Sequence, residues 1–290
     1  MANVKELKKK IKSVKGTLKI TSAMKLVSAA KLNRAQQNVL GARPYANELE
    51  RTIKIVSALV QKYQHPFLSE AGEKSGKVAL LVISASKGLC GGYNTQLAKA
   101  VKHFVEGSKE EVEVYYIGTK VNVILGNLVK VVKTFEYEKL EPTLTEIQKT
   151  CNELAALFEE SKVEKIYVAY NLFKSVISFI PTIKQALPMT LSTADAEEAK
   201  KNFPFDFKYT PNSKEILDTL IPEAYYNNIF TCVLDAIAAE HGSRMAAMDN
   251  ASNNCKEAIR TLTLKMNKLR QSAITTELIE VVSGAESLKG

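Results

Sequence analysis

No tryptophan occurs in the 290 residues, so this chain lacks the side chain that most often anchors a tight interface. Proline is absent from residues 1–43 and 223–290, where the glycines are Gly16, Gly41, Gly242, Gly284 and Gly290. Little in either stretch would break a helix. The four cysteines, Cys90, Cys151, Cys232 and Cys255, are far apart with no CxxC pair, which argues against a zinc ribbon or a thioredoxin-type motif. Reduced core thiols are the expectation. The longest apolar run, Val78 to Ile83, falls far short of the roughly 18–20 residues of a membrane helix. The lysine-rich start has no apolar stretch behind it, so no secretory signal is expected.

What is present is two long helical patterns around a different kind of sequence. In the first, Val4, Leu7, Ile11, Val14, Leu18, Thr21, Lys25, Ser28, Leu32, Ala35 and Val39 alternate at three- and four-residue spacing, the period of a helix packed along a seam. The seam loses its apolar character at Thr21, Lys25 and Ser28. There the stripe is expected to move to Ile20, Ala23, Met24, Val27 and Ala30, as a straight helix drifts against a heptad. Pro44 should kink or interrupt the helix, with the spacing resuming at Leu49, Ile53, Val56 and Val60.

The second pattern runs through Met248, Ser252, Cys255, Ile259, Leu262, Met266, Leu269, Ala273 and Thr276. Pro211 and Pro222 suit helix starts, predicting a short helix near 213–220 and a long one from 222 to about 284. Helices this long at opposite termini can bury their stripes only against each other or a partner. They predict a rod with a globular body inserted in it.

Between them the period changes. Lys77–Ser84, Glu113–Ile117, Val129–Phe135, Lys165–Tyr170 and Ser175–Ile183 read as strands. Tyr93–Val105, Lys120–Leu125 and Thr143–Glu160 read as helices, and Asp195–Lys201 as a loop or short helix. Alternating strands and helices predict a small, mostly parallel, Rossmann-like α/β sheet. The expected division is 1–62 for the N-terminal helix, 75–207 for the α/β domain and 211–290 for the C-terminal helix.

The net charge of +9 is unevenly placed. Residues 1–62 hold fourteen Lys/Arg against Glu6, Glu48 and Glu50, whereas residues 228–290 hold seven of each sign. An acidic partner surface for the first helix follows. Nucleic acid would need a basic stripe with interleaved aromatics. Lysines 5, 8, 9, 10, 12, 15 and 19 instead surround the helix without aromatics. A basic coiled-coil nucleic-acid binder or scaffold is the alternative to a mechanical protein.

Chemistry has few candidates. Gly88-Leu-Cys-Gly91-Gly92 lies between a strand and a helix, where α/β sheets bind phosphates, but it matches neither GxxxxGK[ST] nor GxGxxG. A tight strand-to-helix turn is the expected use of its glycines. Cys90 as a nucleophile needs a base, and His65, His103 and His241 have no motif spacing around it. His241 is expected to be exposed or at an interface. No His, Cys or carboxylate set has metal-ligand spacing. No catalytic residue, cofactor or metal is expected.

Four blocks carry a resemblance. Met24 to Gln36 (MKLVSAAKLNRAQ), Gly88 to Asn94 (GLCGGYN), Ser243 to Met248 (SRMAAM) and Ile274 to Ala285 (ITTELIEVVSGA) together resemble the gamma chain of F-type ATP synthase, in the right order. Ser86 stands where many members carry an acid. No cysteine-bearing insertion of the chloroplast type is present, so no thiol switch is expected. The resemblance implies an antiparallel coiled coil turning inside a ring of alpha and beta subunits (alpha3 beta3), with the epsilon subunit and the membrane c-ring as further partners. It implies a non-catalytic rotor shaft that couples ion-driven rotation to ATP synthesis or hydrolysis at the beta subunits. The location implied is peripheral, on the cytoplasmic face of the cell membrane. Matched residue by residue, Met24 and Lys25 should lie near Arg244 and face acidic beta loops. Arg270, Gln271, Thr275 and Glu277 match upper contacts with the ring. Leu278, Ile279, Val281, Val282 and Leu288 match an apolar bearing.

Overall fold

A computed structural model describes residues 2–60, 63–69, 75–137, 142–189, 208–210 and 212–287. The expected loop at Asp195–Lys201 and the bearing residue Leu288 lie outside them. The chain divides into two compact units, one of residues 1–29 with 244–290 and one of residues 30–243. Two helices belong to both: α1 (Ala2–Leu59) and α5 (Ser213–Ser287).

The larger unit is built on β1 (Lys77–Ile83), α2 (Tyr93–Gly107), β2 (Glu111–Ile117), α3 (Lys120–Leu125), β3 (Lys130–Phe135), α4 (Leu144–Glu159), β4 (Lys165–Ser175) and β5 (Ser178–Leu187). The sheet order is β3-β2-β1-β4-β5. β1 pairs parallel with β2 and β4, β2 parallel with β3, and β5 antiparallel with β4. This is the mostly parallel α/β sheet expected.

The run Val78–Ile83 is continuously apolar because both faces of β1 are covered. Val78, Leu80 and Val82 pack with Leu97, Ala98 and Val101 of α2 and Val121 and Leu125 of α3. Ala79, Leu81 and Ile83 point the other way. They meet Ile147, Cys151, Leu154 and Phe158 of α4, Leu49, Ile53 and Val56 of α1, and Leu217 to Ala236 of α5. Each large side chain buried this way contributes about 1.5–3 kcal/mol. α4 starts with a capping box: Thr143 accepts from the Glu146 N–H while the Glu146 carboxylate accepts from the Thr143 N–H. This pairing satisfies two amides that the first turn leaves without helical partners.

Three expectations about the elements of the larger unit are corrected. Pro222 does not start a second helix, because α5 runs unbroken from Ser213, capped by Asn212 Oδ1 accepting from the Glu215 N–H at 2.9 Å. Interior proline costs about 3 kcal/mol, but Leu217, Ile221, Ala224 and Tyr225 on either side of it are buried in one core. Burial outweighs the lost bond. Pro44 likewise lies inside an unbroken α1, flanked by the buried Val39 and Leu49. The last strand is shifted to Ser178–Leu187, after a hairpin turn at Val176 and Ile177. That turn has no Gly, Pro, Asn or Asp to mark it.

In the smaller unit, α1 and α5 run antiparallel. Thr21 meets Ser252 through their hydroxyls at 2.8 Å, and Lys25 Nζ donates to Asp249 Oδ1 at 2.6 Å. Here the seam does not drift as expected. Thr21 and Ser28 are buried, while Ile20 and Val27 are 62% and 57% exposed, and Ala23 and Ala30 are exposed too. At Thr21 the heptad holds because the partner helix is polar at the same level. Each hydroxyl also meets a carbonyl of its own helix, Thr21 at Leu18 and Ser252 at Met248, so both are satisfied and apolar character is not needed for burial.

Candidate partner-contact surfaces and the switch-point turn

Stepping the Thr21–Ser252 and Lys25–Asp249 register back to the start of α1 brings Ala2 level with about Gln271, since both helices rise equally per residue. Beyond that level α5 has no partner from α1. Every residue from Ile274 to Ala285 is exposed, including Leu278, Ile279, Val281 and Val282 at 60–69%. Twelve helical residues carry a bare apolar face.

Among the matched contact residues, Arg270, Gln271, Thr275 and Glu277 are exposed on α5. The Thr275 hydroxyl donates back to the Gln271 carbonyl at 2.9 Å. Met24 and Lys25 are half-buried and Arg244 is buried. Lys25 is engaged by Asp249, further along α5 than Arg244. Asp249 and the pairing of Thr21 with Ser252 escaped the sequence reading. The available signal was that Thr21 and Ser252 both fall on seam positions.

In the larger unit, the block GLCGGYN forms the turn after β1. Leu89 and Gly91 adopt positive φ, 62° and 56°. Gly91 takes that conformation freely, whereas Leu89 is strained by about 1–2 kcal/mol. The turn's polar groups are directed at its neighbours. Asn94 Oδ1 accepts from the Ala85 N–H at 3.2 Å, and its Nδ2 donates to Cys90 Sγ at 3.2 Å. Asn171 Nδ2 donates to the Tyr93 carbonyl at 3.1 Å. Tyr93, 1% exposed, donates its hydroxyl to the Ala236 carbonyl at 3.0 Å. The Ser243 hydroxyl donates to the Cys90 carbonyl at 2.6 Å.

Arg43 Nη2 donates to Asp235 Oδ1 at 2.7 Å and to the Phe173 carbonyl at 3.4 Å, joining α1, α5 and β4. Burial raises the Asp235 carboxyl above its ordinary pKa, and Arg43 pulls it back only in part. Burial likewise pushes the thiols of Cys151 and Cys232 up to about 12, where they are poor nucleophiles at neutral pH. Cys90 is buried as well. His241 is buried rather than exposed, and His65 caps the short 3-10 turn Pro66–Leu68 by accepting from the Phe67 N–H. Among the described residues, no group of three or more His, Cys, Asp and Glu is placed to hold a metal. No helix there is long and apolar enough to cross a membrane.

The family model for ATP synthase matches residues 3–288. The ATP synthase gamma chain of Geotalea daltonii is 39% identical over all of both chains. The chain belongs to the ATP synthase gamma family. Other gamma chains agree, including that of Bdellovibrio bacteriovorus, 38% identical over all of both chains, and that of Brevibacillus brevis, 35% identical over 98% of each. The fold is shared with a chain of the Euglena gracilis mitochondrial ATP synthase (OSCP, F1 and c-ring). That match has a TM-score of 0.66, 14% identity, and coverage of 99% of this chain and 95% of the other.

Proposed function

We propose that this gamma-family chain is the non-catalytic central rotor shaft of an ATP synthase, coupling ion-driven rotation to ATP synthesis or hydrolysis at the beta subunits. The observation that carries this reading is the helical end from Ile274 to Ala285, exposed on every side with its apolar face bare, in a chain whose whole length matches the family. A helix this apolar needs a surface to sit against, and the ring of alpha and beta subunits would supply it as a bearing. Terminal segments 1–62 and 211–290 then serve as the shaft, and 75–207 as the body that takes torque from the membrane c-ring, with the epsilon subunit alongside.

Met24, Lys25 and Arg244 would face acidic beta loops, and Arg270, Gln271, Thr275 and Glu277 the upper ring. Exposed ion pairs contribute only about 0–1 kcal/mol each, so such contacts form and break without locking the shaft. Location would be peripheral, at the cytoplasmic face of the membrane.

The test is truncation of residues 281–290 in the assembled complex. A graded loss of yield or turnover is expected, with rotation retained and the isolated chain still folded. Glu280→Gln alone should be mild. An all-or-none loss of activity from Glu280→Gln would indicate a catalytic carboxylate and overturn the shaft reading.

A further inference from the structure

The turn Gly88–Asn94 stands at the carboxyl end of β1, between β2 on one side and β4 on the other. In open α/β sheets this switch point is where ligands bind. Here α5 takes that place. One face of α5 is built small for it: Ala236, Ala239, Gly242 and Ser243 recur at helical spacing. Ala239 packs in a small core with Ala85, Cys90 and Tyr93. A Cβ on Gly242 would lie 2.9 Å from the Val176 carbonyl oxygen, so the β4–β5 turn reaches the helix backbone itself.

The two hydroxyl bonds divide the work. Tyr93 grips α5 at Ala236, and Ser243 grips the turn at Cys90. Seven residues separate the two points, about 10 Å along the helix axis. Two separated points fix both the axial position and the rotation of a helix. Apolar packing is non-directional and resists separation better than sliding. Hydrogen bonds weaken steeply once angle and distance are lost. Strain at Leu89 is the sign of a turn held in shape by its surroundings.

We propose that the Gly88–Asn94 turn is a clasp that transmits torque between the α/β body and α5, with Tyr93 and Ser243 as its positioning residues. The assignment rests on the rotor reading above and gives the GLCGGYN block a mechanical task.

The experiment uses ATP synthase assembled with the full chain as wild type, Tyr93→Phe, Ser243→Ala, the double variant, and Val101→Ala. Val101 is buried in the opposite core layer, away from α5, so its truncation lowers stability without touching the clasp. Stall torque of single rotating complexes is measured, together with hydrogen exchange of α5 in the isolated chain. Loss of each bond should raise the released fraction about fivefold. Exchange around residues 236–243 should therefore rise in each single variant and more in the double. Stall torque should fall in the same order while unloaded ATP turnover stays at the wild-type rate, and Val101→Ala should keep full torque. Wild-type torque in the double variant overturns the clasp, as does an equal loss in Val101→Ala. A wild-type chain that supports no rotation at all overturns the rotor reading instead, a result separable from the other two.

Discussion

The two units reach order by opposite means. Residues 1–29 with 244–290 hold fifteen Lys/Arg against six Asp/Glu, so this unit carries the whole +9 of the chain, and residues 30–243 are balanced at twenty-five of each. The charged unit has two helices meeting along a seam with a hydroxyl pair and an exposed ion pair in it. The neutral unit has a five-stranded sheet with buried apolar layers on both faces. A net charge destabilises by self-repulsion but discourages association. A paired helix that must turn against a partner tolerates weak, wet contacts. A body that must resist torque needs a close-packed interior, whose low compressibility transmits force.

The largest expected effect lies in the neutral unit. Leu81→Ala, at a fully buried position, should cost about 2–5 kcal/mol in urea unfolding of the isolated chain. Leu18→Ala, half-buried in the charged unit, should cost about half that or less, because less apolar area is returned to water. Equal losses would erase the contrast between buried and half-buried packing.

Arg43→Ala should come next. It strands the buried Asp235 carboxylate, and with Arg43 itself 38% exposed the cost should be about 1–3 kcal/mol, below the range for a fully buried pair. Its pH dependence has a definite sign. Burial raises the Asp235 pKa, and Arg43 is the group that lowers it. A carboxyl raised in the folded chain favours its neutral form. Its contribution is therefore complete below the unfolded value of about 4 and is lost as pH rises through the folded value. The deficit of Arg43→Ala against wild type should be larger at pH 7 than at pH 4; a deficit that grows on acidification would contradict the buried-pair account.

Within the charged unit, Thr21→Val alone should cost about 1 kcal/mol through loss of the cross-helix bond, since Ser252 keeps only the Met248 carbonyl of its own helix. Thr21→Val with Ser252→Ala should be nearly neutral, since both polar groups leave together. A double-mutant cycle with no coupling term would dissolve the hydroxyl pair. The smallest effect is that of salt. Raising it from low to moderate concentration should increase hydrogen-exchange protection of α1 around residues 5–19 by screening repulsion, with no change in β1 or β4. Matching gains in both units would mean that charge does not distinguish them.

Much of this was legible in the chain itself. Periodicity located the helices and strands and implied the mostly parallel sheet, because burial on one stripe or on two faces leaves a repeat in the order of the residues. The family blocks pointed to the gamma family, which the comparisons show. Local signals misjudged Pro222 and Pro44, because a proline's cost is local while the burial of Leu217, Ile221 and Tyr225 that outweighs it comes from elements far away in sequence. They misjudged the seam at Thr21, because a hydroxyl counts as polar until the Leu18 carbonyl and a second hydroxyl at Ser252 satisfy it. The tie of Tyr93 to Ala236 spans 143 positions, that of Ser243 to Cys90 spans 153, and that of Arg43 to Asp235 spans 192. Periodicity records which face of an element is buried. It carries no record of which distant backbone carbonyl or carboxylate waits on the other side, and that pairing was decided only when the sheet brought the turn, α1 and α5 together.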